Sequence, residues 1–231
     1  MTTVYPESMV RATAVDGVYP PQHDSLLLID ALHNSGLARG RRVADLCTGS
    51  GVVAIAAAQM GARDITAFEI CPTAVACAQT NADIAGVRLN FRLGSWTNVQ
   101  DCPPFDLVVA NPPYVPAMPG ADTEAIPASA GPARAWDAGP DGRMVLDPLC
   151  DSATDLLATG GTLLLVHSGL ANAGESMRRL RRTGLVAEVF ATQLIPFGPV
   201  LRARAKWLES TGQIPVGRRE EELVVIRADK P

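Results

Sequence analysis

The sequence lacks any apolar run close to the roughly 20 residues that an α-helix needs to cross a lipid bilayer. Its N-terminus also lacks a basic stretch leading into an apolar segment, the pattern of a secretory signal. These two absences argue against a membrane-spanning or exported protein and predict a soluble, cytoplasmic one. With 47% hydrophobic and 19% charged residues, the composition is that of a globular protein rather than a disordered one.

Cysteine is sparse and irregularly spaced. The chain has five cysteines, an odd number without a C-x-x-C pair or a nearby histidine cluster: Cys47, Cys71, Cys77, Cys102 and Cys150. This spacing argues against a disulfide framework and predicts no metal site. We expect the cysteines to be small core or near-core residues in a reducing compartment.

An excess of positive charge is also missing, because the formal net charge is −4 and the isoelectric point is about 5.4. Such a chain has no global attraction for the phosphate backbone of a nucleic acid. Two local basic groups exist, Arg178–Arg182 and the trio of Arg202, Arg204 and Lys206. The first is typical of a solvated helix face.

From Arg42 onward, strand-like apolar runs alternate with helix-like segments. Strands are predicted over Val43–Cys47, Ile65–Glu69, Val87–Leu93, Phe105–Ala110, Thr162–His167, Leu185–Thr192 and Glu222–Ala228. Helices are predicted over Leu26–Leu32, Gly51–Met60, Thr73–Ile84, 142–158, 171–182 and Leu201–Ser210. The alternation predicts a Rossmann-like α/β fold with a mostly parallel seven-stranded sheet, helices on both faces and an antiparallel last strand.

A length of 231 residues fits one such domain. We expect residues 1–20 to form an N-terminal arm and 21–231 a single domain, with Asp24-Ser25 capping its first helix. Residues 115–140 are rich in Pro, Gly and Ala without periodicity, which predicts a long ordered loop. The stretch 195–219 is much longer than a hairpin needs and is expected to be an insertion before the last strand.

A glycine-rich turn follows the first predicted strand. Gly49 and Gly51 permit positive φ and a close approach of a ligand to the backbone. This spacing also satisfies the loose dinucleotide fingerprint, so it leaves a nicotinamide-type cofactor open. Asp45 at the end of the same strand and Glu69 at the end of the next favour a ligand with a cation and a ribose, which predicts S-adenosyl-L-methionine. The alternative is that each acid merely caps a following helix, where it adds about 0.3–1 kcal/mol.

The most informative feature is Asn111-Pro112-Pro113-Tyr114, placed where the strand Phe105–Ala110 opens into a loop. The Asn111 amide oxygen can accept a hydrogen bond. The prolines remove backbone N–H groups, so the carbonyls of Asn111 and Pro112 are free to accept as well. Tyr114 offers a flat face for stacking. Such a site can hold an N–H₂ group on a planar substrate with its lone pair directed elsewhere, and these four residues are the predicted catalytic set.

Ser95-Trp96 follows the third predicted strand and is expected to border the adenine ring of the cofactor, although a core role for Trp96 is the alternative. The predicted cofactor-binding residues are Asp45, Cys47, Thr48, Gly49, Ser50, Gly51, Glu69, Ile70, Ser95, Trp96 and Asn111.

Four stretches together resemble the HemK/PrmC glutamine-N5 family of class I methyltransferases: Tyr19–Ser25, Asp45–Gly51, Asn111–Val115 and Ala135–Gly142. The resemblance covers about residues 18–170 and implies the class I methyltransferase fold, S-adenosyl-L-methionine as cofactor and a protein glutamine, of the release-factor type, as methyl acceptor. It leaves open whether an activator subunit is needed.

The chain departs from this family at three points. The bacterial release-factor enzymes carry an extra N-terminal helical domain, whereas about 20 residues precede the core here. Ser95 stands where the family commonly has Asp. The stretch 195–219 is not expected from the family core, and its side chains Arg202, Arg204, Lys206 and Trp207 are either substrate contacts or parts of a surface helix that shields the sheet edge.

Other functions remain open on the sequence. Methylation of an exocyclic amine in a nucleic acid or of a small metabolite uses the same tetrapeptide. An NAD-type oxidoreductase is allowed by the glycine turn, and a non-catalytic partner subunit is allowed by Ser95. His23 and His167 have no assigned role.

Overall fold

A computed structural model describes residues 12–97, 102–120 and 125–231 of the chain. Seven strands form one sheet: β1 (Arg42–Leu46), β2 (Asp64–Glu69), β3 (Asn90–Leu93), β4 (Phe105–Ala110), β5 (Leu157–Ser168), β6 (Val186–Pro196) and β7 (Glu220–Asp229). Six α-helices connect or flank them: α1 (His23–Ser35), α2 (Val52–Gln59), α3 (Pro72–Ala85), α4 (Leu146–Leu156), α5 (Ala173–Arg182) and α6 (Pro199–Ser210).

The strand order is β3-β2-β1-β4-β5-β7-β6. The first five strands of this order pair in parallel, whereas β7 is antiparallel to both β5 and β6. The predicted sheet and its antiparallel last strand are therefore confirmed. Since the chain winds from β1 to β3 in one direction and from β4 to β5 in the other, right-handed crossovers place α2 and α3 on one face and α4 on the opposite face.

The core follows from the apolar runs. The β5 residues Leu163–Val166 and the β4 residues Leu107–Ala110 are almost fully buried, as expected of central strands covered on both faces. α1 packs on α2 and on the β5, β6 and β7 strands, and α4 packs on α5. No helix in the described part of the chain is both long and apolar enough to cross a membrane.

Several element boundaries differ from the sequence-based prediction. α1 begins at His23, so Asp24 and Ser25 lie inside its first turn, and the residue at its N-cap is Gln22. β3 begins at Asn90 rather than at Val87. β5 begins at Leu157 because a bulge near Gly160-Gly161 lets the strand start before the apolar run. β6 extends to Pro196, where it still pairs with Glu220.

The basic helix face of α5 is covered by acids. Arg179 reaches Asp147 at 2.9 Å and Asp151 at 2.6 Å, and it also pairs with Glu175 at 2.9 Å. These contacts neutralise much of the positive charge of Arg178–Arg182. The arginines of α5 are thus partly paired with acids and do not form an open basic patch.

Candidate functional site

The carboxyl ends of β1, β2 and β4 meet at one edge of the sheet and surround a cavity of about 780 Å³, counted out to its open mouth. This is the position where open α/β sheets bind ligands, and we call it the cofactor cavity. Nine of the predicted site residues line it: Asp45, Cys47, Thr48, Gly49, Ser50, Glu69, Ile70, Asn111 and Pro113. The sheet therefore brings together most of the residues chosen from the sequence.

Asp45 lies at the floor of the cofactor cavity with 1% of its surface exposed. Its Oδ2 accepts hydrogen bonds from the Thr48 hydroxyl at 2.5 Å and from the Ala54 backbone N–H at 3.1 Å. Burial raises the pKa of Asp45 to about 7, and the negative charge of Glu69 acts in the same direction. An acid in this state gains a strong partner when a cationic ligand binds beside it.

Glu69 is held at the mouth of the glycine turn by backbone donors. Its two carboxyl oxygens accept from the N–H groups of Gly49 at 3.0 Å and Cys71 at 2.9 Å. Glu69 therefore supports the start of α3, and Asp45 supports the first turn of α2. The helix-capping role and the ligand-binding role are compatible, because each carboxylate can accept further bonds.

The glycine turn uses its residues differently. Gly49 lines the cofactor cavity, whereas Gly51 packs away from it against α3. A Cβ at Gly51 would lie 3.0 Å from the Ala78 side chain, and its φ of 81° also favours glycine. Cys47 adopts a φ of 60°, unusual for a residue with a side chain, so this turn holds backbone strain beside the ligand site.

Ser95 and Trp96 are not among the described residues that line the cofactor cavity. Trp96 instead lines a separate cavity with Cys102, Phe105 and Leu156, and it packs against the main core. The structure favours the core role for Trp96. The contact of this pair with an adenine ring stays a prediction.

Asn111 is oriented by a residue of α1. The Asn111 Nδ2 donates to the Ser25 Oγ at 3.3 Å, and the Ser25 hydroxyl donates to Asp24 Oδ1 at 3.3 Å. Because Ser25 gives its proton to a carboxyl, its oxygen is left to accept from the amide. The Asn111 amide oxygen is thereby available to a substrate donor, while the neighbouring Pro112 is buried and Pro113 lines the cavity.

Asp24 is the centre of a buried hydrogen-bond cluster that sequence reasoning missed. It is 4% exposed and accepts from the Ser25 N–H at 2.7 Å, the Tyr114 hydroxyl at 3.0 Å and the Tyr19 hydroxyl at 3.2 Å. Burial, followed by the charge of Asp24, raises the pKa of both tyrosines well above the usual value, so both remain O–H donors. The signal was a pair of polar residues directly before an apolar helical run, which was interpreted only as a cap.

Tyr114 therefore does not present its ring to the cofactor cavity. It is 9% exposed, directs its hydroxyl to Asp24 and lines a second cavity. This cavity lies beside the acceptor site, by which we mean the place next to Asn111 where the group to be methylated would bind. Any stacking by Tyr114 would take place in that second cavity.

The loop that carries the tetrapeptide is braced by the segment Ala135–Gly142. The N–H of Val115 donates to the Trp136 carbonyl at 2.8 Å, and the N–H of Ala138 returns a bond to Val115 at 3.0 Å. Gly142 has a φ of 75°, and a Cβ built there would overlap the backbone carbonyl of Tyr114. Only glycine fits this close approach.

Arg204 of α6 contributes a second brace. It is 3% exposed, pairs with Asp137 at 2.6 Å, donates to the Pro116 carbonyl at 2.8 Å and lies 4.8 Å from the centre of the Trp136 ring. Arg204 is thus an internal contact of the active-site loop rather than a surface charge. Arg202 and Lys206 are exposed and Trp207 is half-buried, so their proposed contact with a substrate stays a prediction.

Comparison with known proteins identifies a matching family model for the first part of the domain. Residues 22–112 match the family model described as ribosomal protein L11 methyltransferase (PrmA). The match runs from Gln22, the N-cap residue of α1, to Pro112 and so covers the elements α1 to β4.

Two relatives cover more of the chain. A Methanocaldococcus jannaschii protein named protein N5-glutamine methyltransferase is 32% identical over 181 residues, which is 78% of this chain and 87% of that protein. A release factor glutamine methyltransferase of Rhodospirillum rubrum is 39% identical over 176 residues, which is 71% of this chain. The chain matches about half of that bacterial protein, 51% of its length.

The fold is shared with the solved structure of Mtq2 from E. cuniculi, which is in complex with Trm112 and methylates a translation termination factor. The TM-score is 0.61 at 22% identity, and the similarity covers 93% of this chain and 99% of that one.

We expect the affinity for S-adenosylmethionine to fall as the pH falls through about 7. The pKa of Asp45 without ligand is about 7, and a bound cation lowers it, so binding releases a proton and becomes weaker by up to about tenfold per pH unit below that point. Calorimetric titration between pH 8 and pH 6 measures this dependence. Asp45→Asn should remove it, and the exposed control Asp83→Asn should retain it. A wild-type affinity that is constant over this range would contradict the assignment.

We expect Gly142→Ala to destabilise the fold by about 3–5 kcal/mol and to lower methyl transfer, because the new Cβ displaces the Tyr114 carbonyl. Gly86→Ala is the matched control, since Gly86 has a φ of 67° and no atom within 4 Å of a built Cβ. It should cost about 1 kcal/mol and leave transfer unchanged. Urea unfolding gives both values. Equal losses in the two variants would show that backbone strain, not the contact with Tyr114, sets the cost.

Proposed function

Because the chain belongs to the protein N5-glutamine methyltransferase family, we propose that it methylates the side-chain amide of a glutamine in a protein of the release-factor type. The chain is a methyltransferase that depends on S-adenosyl-L-methionine. The observation that carries the choice of acceptor is Asn111, which is held through its Nδ2 at the end of β4 with its amide oxygen available beside the cofactor cavity.

The lining of the cofactor cavity fits the cofactor. A buried acid, Asp45, suits a ligand with an ammonium and a sulfonium, and Glu69 at the end of β2 can accept from ribose hydroxyls. The cofactor supplies an electrophilic methyl group. Asp45 and Glu69 would hold it, and the turn of Thr48, Gly49 and Ser50 would enclose it.

The remaining task of the protein is to present a weak nucleophile. An amide nitrogen reacts poorly because its lone pair is delocalised into the carbonyl. The Asn111 amide oxygen and the Pro112 carbonyl would accept its two N–H bonds, which directs the nitrogen lone pair towards the cofactor cavity and favours charge developing on nitrogen. Fixed orientation alone can contribute about 7–11 kcal/mol to such a reaction. This arrangement demands no histidine or carboxylate base, because the methylated amide is a strong acid that loses its extra N–H proton to water.

A partner subunit is part of the proposal. Mtq2, which shares this fold, is in complex with Trm112, and the substrate of that pair is a translation termination factor. We propose that the present chain also acts on a protein and that an activator subunit raises its activity. Adding an extract of the source cells to the purified enzyme and release factor tests the second point, since a rate unchanged by the extract argues against an activator.

We expect Asn111→Ala to lower methyl transfer by at least about 100-fold while the affinity for S-adenosylmethionine stays within a few-fold. The measurement is transfer of labelled methyl from the cofactor to a source-cell lysate, split into protein, RNA and small-molecule fractions, and then to purified release factor. Asn34→Ala, a change at an exposed position of α1, is the matched control. Label in the RNA or small-molecule fraction would overturn the protein substrate, and a large loss of cofactor affinity would overturn the role of Asn111.

We expect Ser25→Ala to lower kcat about tenfold with little change in KM, because the Asn111 amide loses the group that fixes its orientation. Ser25→Thr, which keeps a hydroxyl, should restore most of the rate. Steady-state kinetics and thermal unfolding of both variants test this role. If Ser25→Thr remained as slow as Ser25→Ala at equal stability, Ser25 would not act through its hydroxyl.

A further inference from the structure

A second cavity adjoins the acceptor site and has no part in the function described above. It measures about 550 Å³ out to its mouth and shares Tyr19 with the cofactor cavity. Tyr114, which directly follows Asn111-Pro112-Pro113, forms part of its wall. We call it the side cavity. A group bound there would lie next to the residue that is being methylated.

One wall of the side cavity comes from the connection between β6 and β7. Six of its sixteen lining residues belong to the stretch 195–201, which is the end of β6 and the start of α6. The opposite wall is formed by α1, by the tetrapeptide loop and by the first part of β7. The cavity therefore exists because the long connection folds against the active-site loop, where Arg204 fastens it to Asp137 and Pro116.

The side cavity contains a buried carboxyl without a full set of partners. Glu221 of β7 is 5% exposed, and its Oε2 has no hydrogen-bond partner among the described residues. The Ser168 hydroxyl hydrogen-bonds the carboxyl group, yet burial and the charge of Asp24 raise the pKa of Glu221 to about 7. The positive charge of Arg218 lowers the pKa of Glu221 only slightly. The Arg218 Nε donates instead to the Glu220 carbonyl at 2.7 Å. A buried acid of this kind is costly unless a donor or a cation meets it.

The remaining walls suit a flat cation on an apolar stem. The rings of Tyr19, Tyr114 and Trp136 line the side cavity together with aliphatic residues such as Val200 and Leu201. Arg204, which lies over the Trp136 ring, is already paired with Asp137. Among the described residues that line the cavity, no arginine or lysine pairs with Asp24 or Glu221. Guanidinium groups stack on aromatic faces and bind carboxylates in a bidentate way more readily than ammonium groups do.

We propose that the side cavity is a specificity site that binds the guanidinium side chain of an arginine in the protein substrate, with Glu221 as its carboxyl partner. The assignment of this arginine to the substrate rests on the proposed function, whereas the binding of a guanidinium to the cavity does not. The arginine must lie close to the methylated glutamine in the substrate. This follows because Tyr114, which lines the side cavity, is only three residues after Asn111, which holds the glutamine amide.

A binding experiment tests the cavity without any methyl transfer. N-acetyl-L-arginine methylamide is titrated into the ¹⁵N-labelled protein at pH 8, without cofactor, and the indole N–H signal of Trp136 is followed by NMR. The uncharged citrulline analogue has nearly the same shape, and the lysine analogue carries the same charge on a different head. We expect the arginine probe to bind at least about tenfold more tightly than the citrulline probe and more tightly than the lysine probe.

Two variants with the same chemical change provide the matched comparison. Glu221→Gln should weaken the arginine probe about 10- to 100-fold, whereas Glu222→Gln, its exposed neighbour on β7, should bind it like the wild type. Should Glu221→Gln fail to fold, the wild-type protein still decides the matter, because the probe must then lower the pKa of the Glu221 carboxyl as measured by ¹³C NMR.

The proposal is overturned if the arginine and citrulline probes bind equally, if Glu221→Gln binds as well as the wild type, or if the shifted signals lie away from the side cavity. Absence of any binding up to tens of millimolar overturns it too. Preference for the lysine probe would keep a cation site but reject arginine as its occupant.

Peptide kinetics then connect the cavity to the substrate. Glutamine peptides with arginine or citrulline at each neighbouring position in turn should show, at one position, a KM about tenfold lower for arginine with little change in kcat. Glu221→Gln should abolish that difference. If no glutamine peptide is methylated but the arginine probe binds, the proposed glutamine methylation is wrong and the guanidinium site stands. If the peptides are methylated equally whatever the position of arginine, glutamine methylation stands and the substrate-arginine site is wrong.

Discussion

The carboxyl group of Asp24 is the point on which the acceptor side of the molecule depends. It is buried, so its charge is tolerated only because the Ser25 backbone and the hydroxyls of Ser25, Tyr19 and Tyr114 donate to it. Those donors come from the segment before α1, from α1 itself and from the loop after β4. One carboxyl therefore fixes the first turn of α1 against the tetrapeptide loop. Through Ser25 it also sets the orientation of the Asn111 amide, which links a buried hydrogen-bond cluster to the chemistry at the cavity.

The two cavities apply the same electrostatic device to different ligands. Asp45 in one and Glu221 in the other are acids whose pKa burial raises to about 7, and Oε2 of Glu221 has no hydrogen-bond partner among the described residues. Such groups reduce the stability of the empty protein at neutral pH, since a raised acid pKa means that stability is lost as the pH rises through it. The same property favours binding, because a cationic ligand relieves the cost. The fold thus stores part of the binding free energy in buried acids at the carboxyl edge of the sheet.

Sequence patterns sufficed for the sheet and for the cofactor side of the site, because both depend on local order along the chain. Buried strands read as apolar runs, and Asp45, Glu69 and Asn111 each stand at the end of one, where parallel strands must meet. The contacts across the chain were not readable in this way. Asp24 and Ser25 look like a helix cap, yet their partners are Tyr114 and Asn111, some 90 positions away. Arg204 looks like a surface charge, and only the docking of α6 shows that Asp137 neutralises it. Trp96 follows a strand end like the other site residues, yet it lines a separate cavity and packs partly against the core, which the sequence alone does not reveal.

The long connection between β6 and β7 can change the substrate without changing the chemistry. Its buried arginine, Arg204, contacts the carbonyl of Pro116 and the ring of Trp136, both just outside the tetrapeptide. The groups that orient the acceptor amide, Ser25 and Asn111, belong instead to α1 and to the end of β4 and hydrogen-bond to each other. A different connection would therefore alter the walls of the side cavity while the Asn111 amide kept its position. Since specificity arises from differences in binding rather than from the reacting groups alone, the β6–β7 connection is the part of this fold in which recognition of a new protein substrate can evolve at the least cost to catalysis.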